Sequence, residues 1–174
     1  MNELIRQLQQ IYVLLDAGDR LALRPIGLTP TQFNVLRSVD ERSSDSPTIT
    51  RLSESMLCTR GNATRLVRRL HDMGLVTTQG QARDQRLVFV SLTREGRRRL
   101  ALAREVLDEA ARRYLGNLPA NDVRALTALT KDLADALRHD PGAQDPTSQS
   151  LITATTEATQ PSRSDADPRV SPLE

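Results

Sequence analysis

Four threonines divide much of this chain into helical segments. Thr29, Thr48, Thr59 and Thr93 each stand directly before a stretch in which apolar side chains recur at spacings of three and four residues. That spacing is typical of one face of an α-helix. A threonine at this place accepts a hydrogen bond from the free backbone N–H groups of a helix start. The sequence therefore predicts helices that begin just after these four positions.

The arrangement of these segments predicts a mainly α fold. A helix over residues 2–24 comes first, and two helices over 94–139 come last. Between them, short helices over 49–57 and 59–73 are close enough to form a helix-turn-helix. Two short alternating segments, at 75–79 and 87–92, flank a polar loop and predict a β-hairpin. The fold class expected is a winged helix-turn-helix with a small two- or three-stranded wing.

The composition predicts one domain followed by a tail. At 174 residues the chain has room for one core, which must be built mainly from Leu, Val and Ala because only four residues are aromatic. Residues 1–140 form the expected domain, with a DNA-binding part at about 29–93. Residues 141–174 are rich in Pro, Ser, Thr and Asp and hold few large aliphatic side chains, so we expect a disordered tail.

Positive charge is concentrated in one part of the chain. The net charge is only +2, yet residues 60–99 hold ten arginines against Asp72, Asp84 and Glu95. A local excess of this size is typical of proteins that bind a polyanion.

The helix that begins after Thr59 predicts a DNA-reading surface. Its apolar side chains share one face, and its polar side chains share the other. Arginine can hold guanine, asparagine can hold adenine, and threonine can meet a thymine methyl in the major groove. Basic residues further along suit phosphates. The candidate DNA-binding residues are Thr59, Arg60, Gly61, Asn62, Thr64, Arg65, Arg68 and Arg69, with Arg60, Asn62, Thr64 and Arg65 as base readers.

The predicted hairpin supplies a second candidate contact. Arg83 and Arg86 lie near its tip, where a narrow hairpin can follow the minor groove. Asp84 either orients a neighbouring arginine or forms an ordinary Asx turn. The alternative for the whole region is a merely solvated basic surface, and the coincidence of a capped helix pair with a basic hairpin argues against it.

Other classes of protein find little support. The N-terminal residues lack the charged and apolar parts of a signal peptide, and no apolar run could cross a bilayer, so we expect a cytoplasmic protein without membrane contact. Cys58 is the only cysteine, and His71 and His139 begin no ligand pattern, so neither a disulfide nor a metal site is predicted. No phosphate-binding loop or nucleophile motif is present, so we expect neither an enzyme nor a cofactor.

Several segments resemble the MarR family of bacterial regulators. The run 84–97, Asp-Gln-Arg-Leu-Val-Phe-Val-Ser-Leu-Thr-Arg-Glu-Gly-Arg, is similar to the wing of that family and the helix that follows it. Residues 28–33 and 59–70 are similar to its second and recognition helices. The likeness covers roughly residues 3–139 in order.

The resemblance implies a homodimer that binds double-stranded DNA at a palindromic operator. The dimerisation helices would be those at about 2–24 and 94–139, and exposed apolar faces on them need a partner in any case. It also implies transcriptional regulation, with repression expected, and release by a small apolar or aromatic effector. Leu57 departs from the family, which often has glycine in this turn, and Cys58 does not match the cysteine of its peroxide sensors. The alternative is a winged-helix protein-interaction module without DNA readout.

Overall fold

A computed structural model describes residues 3–42, 46–81 and 84–139 of the chain. The described part is mainly helical, and it contains the predicted helix-turn-helix and hairpin. No helix in these ranges combines the length and apolarity needed to cross a membrane. The elements are α1 (Glu3–Leu23), a 3₁₀ turn (Arg24–Ile26), α2 (Pro30–Asp40), α3 (Ile49–Ser55), α4 (Arg60–Asp72), β1 (Val76–Gln81), β2 (Asp84–Leu92), α5 (Arg94–Leu115) and α6 (Ala120–Arg138).

The four threonines cap helices as predicted. Each side chain accepts a hydrogen bond from the backbone N–H three residues later, at 2.9 to 3.3 Å. At Thr29 the cap is reciprocal, because the Gln32 side chain accepts a hydrogen bond from the Thr29 backbone N–H at 2.9 Å. These caps fix the starts of α2, α3, α4 and α5.

The core lies where the helix-turn-helix, the hairpin and α5 meet. It is aliphatic, as the shortage of aromatic residues predicts. Helices α2, α3, α4 and α5 each bury at least one leucine or valine against the base of the hairpin. The leucines Leu36, Leu52, Leu70, Leu75 and Leu100 have at most 1% of their surface exposed.

The hairpin is antiparallel and is tied to the start of α3. Val76 pairs with Leu92, and the register holds until an irregularity between Gly80 and Gln81. Phe89 also forms an isolated bridge with Thr48, and the Val90 N–H donates to the Pro47 carbonyl at 3.0 Å. Both strands are longer than predicted, since strand pairing continues beyond the alternating apolar residues.

A tight junction joins α4, the hairpin and α5. The Thr93 hydroxyl donates to the Gly74 carbonyl at 2.8 Å and lies 3.2 Å from the Leu75 carbonyl oxygen. The Thr93 N–H donates to the Leu75 carbonyl at 3.0 Å. Gly96 packs so closely there that a β-carbon would lie 2.0 Å from the Leu75 oxygen.

The terminal helices expose apolar side chains. Leu14 of α1 and Leu129 of α6 are 64% and 66% exposed, and α6 buries no residue completely. Periodicity predicts these apolar faces, and they stay largely exposed among the residues that the structure describes. The predicted disordered tail, residues 141–174, lies outside the described residues.

Candidate nucleic-acid interface

Helix α4 has one buried face and one exposed arginine-rich face. Ala63, Val67 and Leu70 are at most 2% exposed and dock on the core. The predicted contact residues on the opposite face are open to solvent. They are Arg60, Gly61, Thr64, Arg65, Arg68 and Arg69.

The start of α4 leaves the backbone accessible. Thr59 caps the helix through the Asn62 N–H. At Gly61 an added β-carbon would have Thr59 Oγ1 as its nearest neighbour, 4.0 Å away. A helix N-terminus carries a partial positive charge and free N–H groups. This end of α4 can therefore approach an anionic backbone closely.

Two side chains on α4 make local hydrogen bonds that sequence reasoning missed. The Thr64 hydroxyl donates to the Arg60 carbonyl at 2.8 Å, so its proton is used within the helix. Arg65 Nη2 donates to Asn62 Oδ1. Asn62 is half-buried, which puts it at the edge of the exposed face. The spacing of three residues is the only sequence signal for this pair.

The hairpin places two predicted wing residues on one strand. Asp84 begins β2, where it pairs with Gln81, and Arg86 follows on the same strand. Arg83 lies outside the described residues.

Glu95 neutralises part of the positive charge near the start of α5. Its carboxylate accepts from Arg98 Nη2 at 2.7 Å and from Arg99 Nε at 2.9 Å. These hydrogen bonds lower the pKa of Glu95 to about 2. Glu95 thus pairs with arginines of its own helix, α5.

The turn between α3 and α4 contains Leu57, at the position where the MarR family that the sequence resembles often has glycine. Leu57 has a φ of 50°, the left-handed conformation that glycine adopts without strain, and its side chain is 61% exposed. The turn geometry that favours glycine is therefore kept without glycine. The neighbouring Cys58 is half-buried, and this burial raises the pKa of its thiol, which disfavours a reactive thiolate.

Comparison with known proteins finds relatives in sequence and in structure. Residues 26–87 match a model described as the MarR family. The transcriptional regulator HosA of Escherichia coli O157:H7 is 28% identical over 134 residues, which cover 76% of this chain and 95% of HosA.

Solved structures agree with this match. A mutant MarR from E. coli, complexed with operator DNA, is 27% identical with a TM-score of 0.67, and the match covers 75% of this chain and 92% of that one. CouR from Rhodococcus jostii RHA1, solved with p-coumaroyl-CoA, shares the fold at 23% identity and a TM-score of 0.67, over 76% of this chain and 92% of CouR. The family model falls on the helix-turn-helix and hairpin, and HosA and MarR extend the likeness over most of the chain. The chain therefore has the winged helix-turn-helix fold of these regulators, and its residues 26–87 match the model of the MarR family.

Proposed function

We propose that this protein is a cytoplasmic, homodimeric repressor that binds a palindromic operator in double-stranded DNA and is released by a small apolar or aromatic effector. The observation that carries the proposal is the exposed arginine face of α4, which is anchored from behind by fully buried side chains. A rigid helix of this kind fits the major groove. The operator-bound MarR structure is a relative with the same fold.

The roles of the individual side chains follow from their chemistry. Arg60 and Arg65 can each hold a guanine through two hydrogen bonds. The Thr64 methyl is left to meet a thymine, because its hydroxyl is used inside the helix. We assign phosphate contacts to Arg68 and Arg69, which lie further from the helix start, and to the basic wing residues Arg83 and Arg86.

The exposed apolar faces of α1 and α6 support a homodimer. Side chains such as Leu14, Leu21 and Leu129 are more than 60% exposed in the single chain. Apolar surface of this extent is favourable to bury against a partner. Two copies joined through these helices would present two recognition helices, and both can dock only when they lie about one DNA turn, roughly 34 Å, apart.

The proposal is tested by replacing Arg65 with alanine. The probe is a duplex selected in vitro from a random pool by the unaltered protein. We expect Arg65→Ala to weaken binding to that duplex by about 1 to 3 kcal/mol and to relax the base preference at one position of each half-site. Arg86→Ala should instead weaken binding to selected and random duplexes more evenly.

Arg112→Ala is the matched control, because it removes the same charge from an exposed position on α5. It should leave base preference unchanged. An equal loss on selected and random duplexes for Arg65→Ala would contradict the base-reading role. Binding that is weak and insensitive to salt for the unaltered protein would favour a protein-interaction module, since several arginine–phosphate contacts impose steep salt dependence.

A further inference from the structure

Asn62 and Arg65 form a hydrogen-bonded pair near the start of α4. Arg65 Nη2 donates to Asn62 Oδ1 across one turn of the helix, where side chains three residues apart lie next to each other. Arg65 is exposed on the arginine-rich face, whereas Asn62 is half-buried at the edge of that face. The two bonded side chains therefore have different surroundings.

Asn62 is held from the side that faces α2. Its backbone N–H donates to the Thr59 hydroxyl oxygen at 3.3 Å, so its backbone belongs to the capped first turn of α4. Its side chain lines a groove together with Asn34 and Ser38 of α2. Asparagine also has fewer rotatable bonds than arginine. Asn62 can therefore act as a fixed point for the longer side chain beside it.

The same bond argues against a direct base contact by Asn62. An asparagine that reads adenine uses both ends of its amide, because Oδ1 accepts from N6 and Nδ2 donates to N7. The Asn62 oxygen already accepts from Arg65, and its side chain lies at the groove beside α2. To present both ends to a base, the amide would have to turn away from Arg65 and from the groove.

Arg65 gains from a fixed orientation. A guanidinium carries five N–H donors in one plane, and a guanine takes two of them through O6 and N7. The bond to Asn62 uses one donor and sets the plane of the guanidinium. An arginine that is ordered beforehand loses less conformational freedom when DNA binds. The bond is weak in water, but it strengthens where bound DNA excludes water from the interface.

A second pair of the same kind shows which feature distinguishes α4. On α6, Arg124 Nη2 donates to Asn121 Oδ1 with the same spacing of three residues. Both of those side chains are exposed, whereas Asn62 is half-buried beside α2. The pair on α4 thus combines the hydrogen bond with an anchored asparagine.

We propose that Asn62 is a positioning residue and not a base reader. It orients the Arg65 guanidinium toward a guanine, so that the two residues together determine one base pair of each half-site. This role of Asn62 rests on the function proposed above and deepens it, because it assigns a single recognition unit to two residues.

The first experiment compares base preference position by position. Competition binding is measured between the selected duplex and duplexes that carry each of the other base pairs at each half-site position. Arg65→Ala identifies the position at which the preference for guanine is lost. Asn62→Ala should reduce discrimination at that same position by about fivefold and leave the other positions unchanged. A preference lost at a different position, or at none, overturns the positioning role.

Asn62→Asp is the conservative variant. It keeps the acceptor oxygen and loses the amide donor, so the preference for guanine at that position should be retained. The added carboxylate is repelled by phosphates and should weaken binding to selected and random duplexes alike. Asn121→Ala removes the corresponding bond on α6 and, as the matched control, should leave base preference unchanged. An Asn62→Asp variant that discriminates as poorly as Asn62→Ala overturns the positioning role.

A double-mutant cycle tests whether Asn62 acts through Arg65. In the Arg65→Ala background the partner of Asn62 is already gone. Adding Asn62→Ala should therefore change the affinity for the selected duplex by less than about twofold. Losses that simply multiply would show two independent contacts and overturn the inference.

The last experiment observes the pair without DNA. NMR of the side-chain nitrogens measures how fast the Arg65 guanidinium rotates in the native full-length chain. Asn62→Ala should speed this rotation by about twofold, the effect of one exposed hydrogen bond between helix neighbours, and unchanged rotation overturns the positioning role. If the unaltered protein bound no duplex, the proposed function would fail, whereas the NMR rates would still decide whether Asn62 holds Arg65. If it bound duplexes and Asn62→Ala left the Arg65 position unaffected, only the role of Asn62 would fail.

Discussion

The contact between Gly96 and the Leu75 carbonyl makes a quantitative prediction for Gly96→Ala. The added β-carbon would lie 2.0 Å from the Leu75 oxygen and 3.0 Å from its carbonyl carbon. The obstacle is backbone, and it is held in place by the Thr93 N–H at 3.0 Å. To relieve the overlap, α5 and the residue before β1 must separate by more than an ångström.

The cost follows from two effects. Overpacking of a well-packed site costs about 1 to 3 kcal/mol. The separation also weakens the two hydrogen bonds that Thr93 donates, from its hydroxyl to the Gly74 carbonyl and from its N–H to the Leu75 carbonyl, at about 1 kcal/mol each. The better helix propensity of alanine relative to glycine offsets about 1 kcal/mol of this loss in the free energy of unfolding. We therefore expect the free energy of unfolding to fall by about 2 to 4 kcal/mol, which lowers the melting temperature by about 10 °C in a chain of this length.

Denaturant unfolding followed by circular dichroism measures this change. The matched control is Gly61→Ala, the same substitution in a helix at a position where the new β-carbon meets nothing closer than 4.0 Å. That variant should be more stable than the unaltered protein, by up to about 1 kcal/mol. If Gly96→Ala were as stable as Gly61→Ala, the steric reasoning would be refuted.

Three further predictions concern other described contacts. Leu57→Gly should raise the free energy of unfolding by up to about 1 kcal/mol, because glycine removes the cost of the left-handed backbone; a lower denaturation midpoint would contradict this. Gly18→Ala should destabilise by about 1 kcal/mol because its β-carbon would lie 2.2 Å from the Tyr114 hydroxyl. Tyr114→Phe in the same chain should restore most of that loss, and additive effects in the double-mutant cycle would exclude the clash. The folded-state pKa of Glu95 is lowered to about 2 from 4.5, so its carboxylate stabilises the folded state above about pH 4.5, and that contribution is lost as the pH falls towards 2. The stability difference between the unaltered protein and Glu95→Gln should therefore shrink over this range, and a constant difference would show that the ion pairs contribute nothing.

Much of the fold could be predicted because its determinants are local. A threonine cap, the proline and glutamine after Thr29, and the apolar spacing of α4 act within a few residues, so they can be read from the sequence. The exposed arginine face of α4 follows from the same periodicity. The turn at Leu57 keeps its left-handed geometry although glycine, the residue that adopts this geometry most easily, is missing.

What could not be predicted depends on contacts between distant residues. A groove of about 330 Å³ lies where side chains of α1 and α2 meet the turn before α4, and no spacing in the sequence indicates its volume. The close approach of Gly96 to Leu75 depends on how α5 crosses the hairpin. The bond between Asn62 and Arg65 depends on rotamers, so a residue expected to read a base directly is also a partner of its neighbour.

The tie between Pro47 and Val90 has a consequence for protein engineering. Because the hairpin is hydrogen-bonded to the residues that start α3, the angle at which α4 is presented is set from outside α4. A chimaera that received only the helix at 60–72 would present it at the angle of its host. Transfer of binding preference to another scaffold therefore requires residues 46–92 as one block.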